Sequence, residues 1–273
     1  MQAAEQTDFP IAVPRRRPGT TSAKIRGDTY VMIDVESAPQ RYARVGGALY
    51  LGNIVLGVVG QVVQAQVIVS GDPAATAARI MSAESLWRLG IASEFVALVC
   101  ATVLAMIYFV LFKPVSRELN LLSTFLRLVA IAVEATVAMN LFAALLVLTS
   151  TSARKAFAPA QLDALANLAI RSYGYGFGLA LLGFGFCFLV HGYLIVRSTF
   201  LPRTIGVLIQ IAGLCYLANS FALFLAPSLE DRIFPAILAP AFVGELSLCL
   251  WLLVKGVDAD KWRAVDARHV RAG

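Results

Sequence analysis

The sequence predicts an all-α, polytopic membrane protein built as a bundle of six transmembrane helices. Hydrophobic residues make up 59% of the chain and charged residues only 15%, whereas soluble domains carry about 25% charged residues. The mean hydropathy is +0.74. Six apolar runs each reach the length of about 20 residues that a helix needs to cross a bilayer. These observations exclude an ordinary soluble domain.

The predicted transmembrane domain covers residues 43–256, and short polar stretches divide it into spans. The third span contains 32 residues, which exceeds what the hydrocarbon layer requires, so we expect it to tilt or to project from the bilayer. The six spans are 45–69, 89–112, 119–150, 173–196, 204–226 and 236–254.

Two short amphipathic helices are predicted between the spans, at residues 73–87 and 159–171. Asp72 is a suitable N-cap and Pro73 a suitable first helical residue, and Pro159 can open the second helix in the same way. The apolar residues recur at helical spacing in the second helix. We expect both helices to lie on the external face of the membrane.

The two ends of the chain are predicted to be cytoplasmic tails. Residues 1–42 lack hydrophobic periodicity and contain the run P-R-R-R-P-G, which predicts a disordered basic tail, and residues 257–273 are polar. The basic run either retains the N-terminus inside or binds anionic lipid headgroups. With both termini inside, 16 of the 23 Lys and Arg residues lie on the cytoplasmic side. The net charge of +6 therefore indicates orientation in an inner membrane and no nucleic-acid binding.

Two further patterns concern helix packing. Gly174, Gly178, Gly185 and Gly192 fall on one stripe of the fourth span, which favours the close approach of a partner helix. Pro240 precedes Glu245 in the sixth span, and a proline inside a helix removes a backbone hydrogen bond. We therefore expect a kink beside Glu245.

Polar residues inside the spans are the candidates for a functional site, because charge in hydrocarbon is costly and needs partners. Glu134, His191 and Glu245 are predicted to share one layer of the bundle. Such a layer could form a proton relay or ion-coupled site, or a structural network that orders helix packing. For Arg127 the alternative is extension to the cytoplasmic headgroups. The full candidate set is Glu134, His191, Glu245, Arg127, Asn140 and Asn219.

A metal site is a weaker hypothesis. Cys187 and His191 are four residues apart on the fourth span, and Glu245 and Cys249 are four apart on the sixth. Zinc-type ligands would meet if these two spans were neighbours, but cysteines in membranes also serve as small apolar residues. The chain contains no C-x-x-C pair, no G-x-S-x-G and no G-x-x-x-x-G-K-[ST], so we expect neither a disulfide framework nor a cofactor.

Several blocks of sequence are recognisable. These include H-G-Y-L-I-V-R-S-T-F-L-P-R at 191–203, G-E-L-S-L-C-L-W-L-L-V-K-G at 244–256 and R-V-G-G-A-L-Y-L at 44–51. In these blocks the chain resembles a bacterial membrane-protein family known as domain of unknown function 4386, and the likeness covers residues 44–256. The resemblance implies a multi-pass inner-membrane protein and supplies no catalytic residues.

Three classes of function remain open from the sequence. The first is a membrane component that acts by binding, structure or sensing, with lipid, a membrane-protein partner or a second copy of the chain as its partner. The second is a small-solute or ion- or proton-coupled transporter that uses Glu134, Glu245 and His191. The third is an intramembrane enzyme that could depend on a metal.

Overall fold

The structure is a computed structural model that describes residues 39–272, and within that range all the regular structure is helical. Most of the predicted N-terminal tail lies outside the described residues. Six helices are long and apolar enough to cross a membrane, which confirms the predicted fold class. They are α1 (Pro39–Val67), α3 (Glu84–Phe112), α4 (Arg117–Thr149), α6 (Pro159–Ser198), α7 (Arg203–Leu225) and α9 (Ala239–Val254).

Shorter helices connect or follow the spanning helices. They are α2 (Pro73–Ser82), α5 (Thr151–Ala156), α8 (Pro227–Ile233) and α10 (Ala259–Ala272), and a 3-10 turn (Ala236–Leu238) precedes α9. The predicted start of α2 is confirmed, because the Asp72 side chain accepts a hydrogen bond from the Ala75 amide at 2.9 Å. The helix ends earlier than predicted, at Ser82, because Ala83 leaves helical geometry. Trp87 therefore belongs to α3.

The second predicted amphipathic helix is not a separate element. Residues 159–171 form the first turns of α6, which continues without a break for 40 residues. No proline follows Pro159 within this helix, so nothing interrupts its hydrogen bonds. The buried side chains of Leu162 and Ile170 pack in one cluster with Ile80 of α2. Contact with α2 thus covers a face that the sequence analysis assigned to the membrane surface.

The kink expected at Pro240 is also wrong. Pro240 lies in the first turn of α9, where the backbone amide has no partner within the helix and proline costs no hydrogen bond. The apolar run begins earlier, at residue 236, which is why Pro240 was expected inside the helix. Residues 236–238 instead form the 3-10 turn.

The six spanning helices pack as a closed ring, in the order α1, α3, α4, α6, α7, α9 and back to α1. Gln40 of α1 joins the first and last helices, since its side-chain amide donates to the Lys255 carbonyl at 2.8 Å and accepts from the Val257 amide at 2.9 Å. We call this end of the bundle, where α1 begins and α9 ends, the terminal end. Consecutive spanning helices alternate in direction because short connections join them.

A seam of glycines joins α6 to α7, as the glycine stripe predicted. A Cβ atom added to Gly192 would lie 2.5 Å from the Gly206 carbonyl oxygen, and one added to Gly185 would lie 3.0 Å from that of Gly213. Larger residues would force the two backbones apart. Gly174 is not part of this seam, because a Cβ added there meets nothing within 4 Å.

Helix α10 packs beneath the terminal end. Trp262 is only 3% exposed, and its indole nitrogen donates to the Leu111 carbonyl of α3 at 2.9 Å. The Asp258 side chain caps the helix by accepting from the Lys261 amide at 3.1 Å. No packing was expected for this segment, because its composition is mostly polar.

Candidate functional site

Every spanning helix contributes one polar side chain to a single region in the terminal half of the bundle. Hydrogen bonds, ring contacts and a cation–π contact connect these side chains. We call this set the central layer. Its members are Tyr50 of α1, Tyr108 of α3, Arg127 of α4, His191 of α6, Tyr216 of α7 and Glu245 of α9.

Glu245 joins three helices within the central layer. One carboxyl oxygen accepts a hydrogen bond from the Tyr50 hydroxyl at 2.8 Å, and the other accepts from the Tyr216 hydroxyl. The carboxyl group of α9 is thus held by α1 on one side and by α7 on the other. Two phenol donors satisfy Glu245 in a place where water is scarce.

Arg127 is buried without a conventional partner. The residue is 5% exposed, and its guanidinium carbon lies 5.0 Å from the centre of the Tyr108 ring and 5.5 Å from that of the Phe188 ring. Within residues 39–272 the guanidinium forms no ion pair or hydrogen bond. Cation–π contacts contribute about 2 kcal/mol when desolvated. Arg127 points into the bundle, so the expectation that it extends to the headgroups is wrong.

His191 and Tyr108 lie beside Arg127 and also lack partners. His191 is 2% exposed, and its ring lies 4.5 Å from the Tyr108 ring and 4.7 Å from the Phe112 ring, measured between centroids. The His191 Nε2 atom and the Tyr108 hydroxyl are buried without a hydrogen bond. An unsatisfied buried polar group costs about 1–3 kcal/mol. The central layer therefore contains several unmet hydrogen-bonding groups within contact distance of one another.

A second polar cluster, which we call the acid pair, consists of Glu94 of α3 and Glu134 of α4. The two carboxyl groups lie close enough to interact with one another. The Tyr173 hydroxyl of α6 donates to Glu94 at 3.3 Å, and the Gln64 side chain of α1 is near Tyr173. Gly60 of α1 makes room for the pair, because a Cβ added there would lie 3.3 Å from a Glu94 oxygen.

The structure divides the three residues that were predicted to share a layer. His191 and Glu245 belong to the central layer, whereas Glu134 belongs to the acid pair. Glu134 lies seven residues after Arg127 on α4, which is about 10 Å along the helix axis. The two clusters therefore lie at different depths in the bundle.

The two asparagine candidates lie outside both clusters. The Asn140 side chain donates to the Val137 carbonyl of its own helix at 3.0 Å, which is a local contact. Asn219 is 3% exposed and lies one turn beyond Tyr216 on α7, and its side-chain oxygen has no partner. Neither residue contacts a member of the central layer through a hydrogen bond.

The proposed zinc ligands do not form a metal site in the described part of the chain, where no three His, Cys, Asp or Glu residues could hold an ion. Cys187 donates to the Ser123 carbonyl at 3.3 Å, and Cys249 contacts the Gly47 carbonyl at 3.5 Å. The hypothesis required α6 and α9 to be neighbours, but α7 lies between them in the ring. All four cysteines are free.

Sequence reasoning missed the three tyrosines of the central layer and also Glu94. Tyr50, Tyr108 and Tyr216 each lie inside an apolar run, where a hydroxyl needs a partner, and that was the available signal. Glu94 is near the start of a predicted span, where a carboxylate often faces water. Its pairing with Glu134 follows from the contact of α3 with α4, which no local pattern shows.

Comparisons with known proteins identify a family for this chain. No curated protein and no solved structure matches the chain. The model of one family, described as domain of unknown function DUF4386, matches residues 45–256. This range contains all six members of the central layer and both members of the acid pair. The chain therefore belongs to the DUF4386 family of domains of unknown function.

Proposed function

We propose that this protein is an integral membrane component that binds or senses a small ligand within the bilayer, and that the central layer is its binding site. One observation carries the proposal: Arg127, Tyr108 and His191 are neighbours and nearly fully buried, the Tyr108 hydroxyl and the His191 Nε2 atom have no hydrogen-bond partner, and no carboxylate of the described residues lies within 4 Å of the Arg127 guanidinium. A ligand that supplies those partners would recover the cost of burying them.

A purely structural role accounts less well for this arrangement. A network that only orders helix packing satisfies its members, as the two tyrosine hydroxyls satisfy Glu245. Groups that are left unsatisfied reduce the stability of the empty protein, and such local costs concentrate at functional sites. One polar residue from each of the six helices converges at this point. A ligand bound here would therefore affect the packing of the whole bundle.

The test is native mass spectrometry of the protein released from nanodiscs, combined with a thermal-stability screen of small molecules. We expect a bound mass or a stabilising compound with the wild type and a loss of that signal in Tyr108→Phe. The matched control is Tyr175→Phe, because Tyr175 is 42% exposed on the same α6 helix as His191. Equal signals in the two variants, or no ligand across a broad screen, would count against the proposal.

A second candidate function is proton- or ion-coupled transport. It is favoured by the acid pair, because two neighbouring carboxyl groups inside an apolar bundle are the kind of groups that relay protons across membranes. These groups extend a line of ionisable side chains from the central layer toward the other end of the bundle. Reconstituted vesicles with a pH gradient test this function. Proton uptake that is lost in Glu134→Gln and retained in Arg117→Gln would support it, and no uptake by the wild type would contradict it.

The orientation forms part of the proposal. The terminal end carries Lys113, Arg117, Arg203 and Lys255 beside the spanning helices, and such an excess of basic residues marks the cytoplasmic side of an inner membrane. Both termini are then cytoplasmic. A reporter that fluoresces only in the cytoplasm, fused after Gly273, is expected to be bright, and a dark fusion would reverse the assignment.

A further inference from the structure

The chemistry of the central layer specifies the kind of ligand, and this step rests on the proposed function. The arginine determines the sign of the ligand's charge. Arg127 is positively charged at every physiological pH, it is 5% exposed, and no carboxylate lies within 4 Å of it in the described part of the chain. Its two ring contacts leave the N–H donors without oxygen partners. An oxyanion is the group that a guanidinium binds most strongly.

Glu245 does not already fill this role. Both of its carboxyl oxygens accept hydrogen bonds from tyrosines, so the group is held away from the guanidinium even though their charges interact. Arg127 is the one permanent cation among the six members of the layer, and it matches one negative charge.

The neighbours of Arg127 suit a carboxylate. The Tyr108 hydroxyl is an unused donor, and His191 Nε2 is an unused ring nitrogen that can donate or accept. A carboxylate offers two oxygens, which a guanidinium and one hydroxyl can bind together. A phosphate monoester carries up to two negative charges and would need a second cation. The rings of Tyr108, Phe112 and Phe188 surround the polar groups, so the part of the ligand next to the carboxylate is expected to be hydrocarbon.

The geometry points to a site for a monocarboxylate with an apolar chain, bound through Arg127 and Tyr108 in the central layer. Two sources supply this chemistry: a fatty acid from the bilayer and a short water-soluble carboxylate. Both present the same carboxylate to the same donors, and they differ in the length of the hydrocarbon chain.

Titration of the full-length protein in nanodiscs with oleate, butyrate and oleyl alcohol distinguishes these cases. We expect saturable binding of at least one acid and no saturable binding of the alcohol. Arg127→Gln should weaken that binding about tenfold to a hundredfold, because a charge-assisted interaction is lost. Arg117→Gln is the control, since Arg117 is exposed at the start of the same helix. Binding of oleate alone assigns the bilayer as the source, and binding of butyrate assigns the water-soluble source.

The inference is overturned if oleyl alcohol binds as well as oleate, or if Arg127→Gln binds the acid as the wild type does. If Arg127→Gln does not fold, Tyr108→Phe is the test variant instead, and we expect it to bind the acid about threefold to tenfold more weakly than the wild type. If neither acid binds but another co-purified molecule is lost in Tyr108→Phe, the carboxylate assignment fails and the proposed function stands. If no molecule binds at all, both fail.

Discussion

The acid pair and the central layer are both polar clusters within one apolar bundle, but they differ in how far their members are satisfied. In the acid pair, Glu94 accepts a hydrogen bond from the Tyr173 hydroxyl and lies beside Glu134. In the central layer, the Tyr108 hydroxyl and the His191 Nε2 atom have no hydrogen-bond partner, and the Arg127 guanidinium forms no ion pair with any described residue. The comparison teaches that a buried charge alone does not indicate function, whereas neighbouring unsatisfied groups indicate a missing partner.

The largest expected effect comes from removing the acceptor that joins three helices. Glu245→Leu leaves the hydroxyls of Tyr50 and Tyr216 without partners, and interhelical hydrogen bonds in membranes contribute about 0.6 to 1.7 kcal/mol each. We expect a loss of about 1–3 kcal/mol in the free energy of unfolding, measured by thermal denaturation in detergent. Ser247→Ala is the control, because Ser247 bonds only to the Val243 carbonyl of its own helix. Equal losses of unfolding free energy in the two variants would show that Glu245 does not hold the three helices together.

The acid pair should respond to the shape and hydrogen bonding of its members. Glu94→Leu removes the acceptor of Tyr173 and the partner of Glu134, and we expect a loss of about 1–2 kcal/mol in the free energy of unfolding. Glu94→Gln should retain most of the stability, since an amide donates to Glu134 and accepts from Tyr173. The same denaturation experiment checks both variants. A loss in Glu94→Gln as large as that in Glu94→Leu would mean that charge, and not hydrogen bonding, holds the pair.

Replacement of tyrosine by phenylalanine at two positions compares a hydroxyl that has a hydrogen-bond partner with one that has none. Tyr50→Phe removes a hydroxyl that donates to Glu245 and should destabilise the protein by about 0.6 to 1.7 kcal/mol. Tyr108→Phe removes a hydroxyl without a partner, so the ligand-free protein should be equally stable or more stable by up to about 1 kcal/mol. Melting temperatures of the two variants, measured side by side, test this. Destabilisation by Tyr108→Phe would show that its hydroxyl already has a partner.

The smallest effect is expected outside the bundle, at an exposed charge. Hydrogen bonds from the Lys261 backbone amide and side chain hold the pKa of the Asp258 carboxyl below its ordinary value. A lowered folded-state pKa means that the contribution to the stability of α10 is complete above the ordinary aspartate pKa of about 3.9. It is lost as the pH falls through the lower folded-state value. Hydrogen exchange of residues 259–272, corrected for intrinsic rates, should therefore increase in acid.

Asp258→Asn keeps a side chain that can cap the helix but removes its charge. The acid-dependent increase in exchange should be smaller in this variant. An unchanged pH dependence would place the sensitivity at another group.

The sequence was sufficient to predict the spanning helices, but it was not sufficient to predict which of them are neighbours in the bundle. Apolar run length predicts six spans because the bilayer fixes the length of a crossing helix, and the seam at Gly185 and Gly192 follows from helical spacing. The pairing of Glu94 with Glu134 and the separation of α6 from α9 depend on the order of helices in the ring. That order results from packing over the whole bundle, and the spacing within one helix does not contain it.

The candidate site was predicted in part for a related reason. Arg127, His191 and Glu245 stand out because they are ionisable in an apolar context. The tyrosines were missed because tyrosine is common in membrane helices near the interface, so its hydroxyl carries little information until its neighbours are known. The uninterrupted length of α6 was missed because polar residues near Arg171 resemble a helix end.

The ring arrangement has a consequence for how the protein is made. The Tyr50 hydroxyl and its acceptor Glu245 are separated by 195 residues along the chain, and they belong to the first and the last spanning helices. During synthesis, the early helices enter the bilayer while the acceptor is still inside the ribosome. The Tyr50 hydroxyl therefore remains hydrated or bound to a temporary partner until the last helix is inserted and the hydrogen bond to Glu245 can form. The central layer is thus among the last parts of the molecule to be completed, and a nascent chain that stalls before α9 would hold five of its six members without the acceptor that joins α1 to α7.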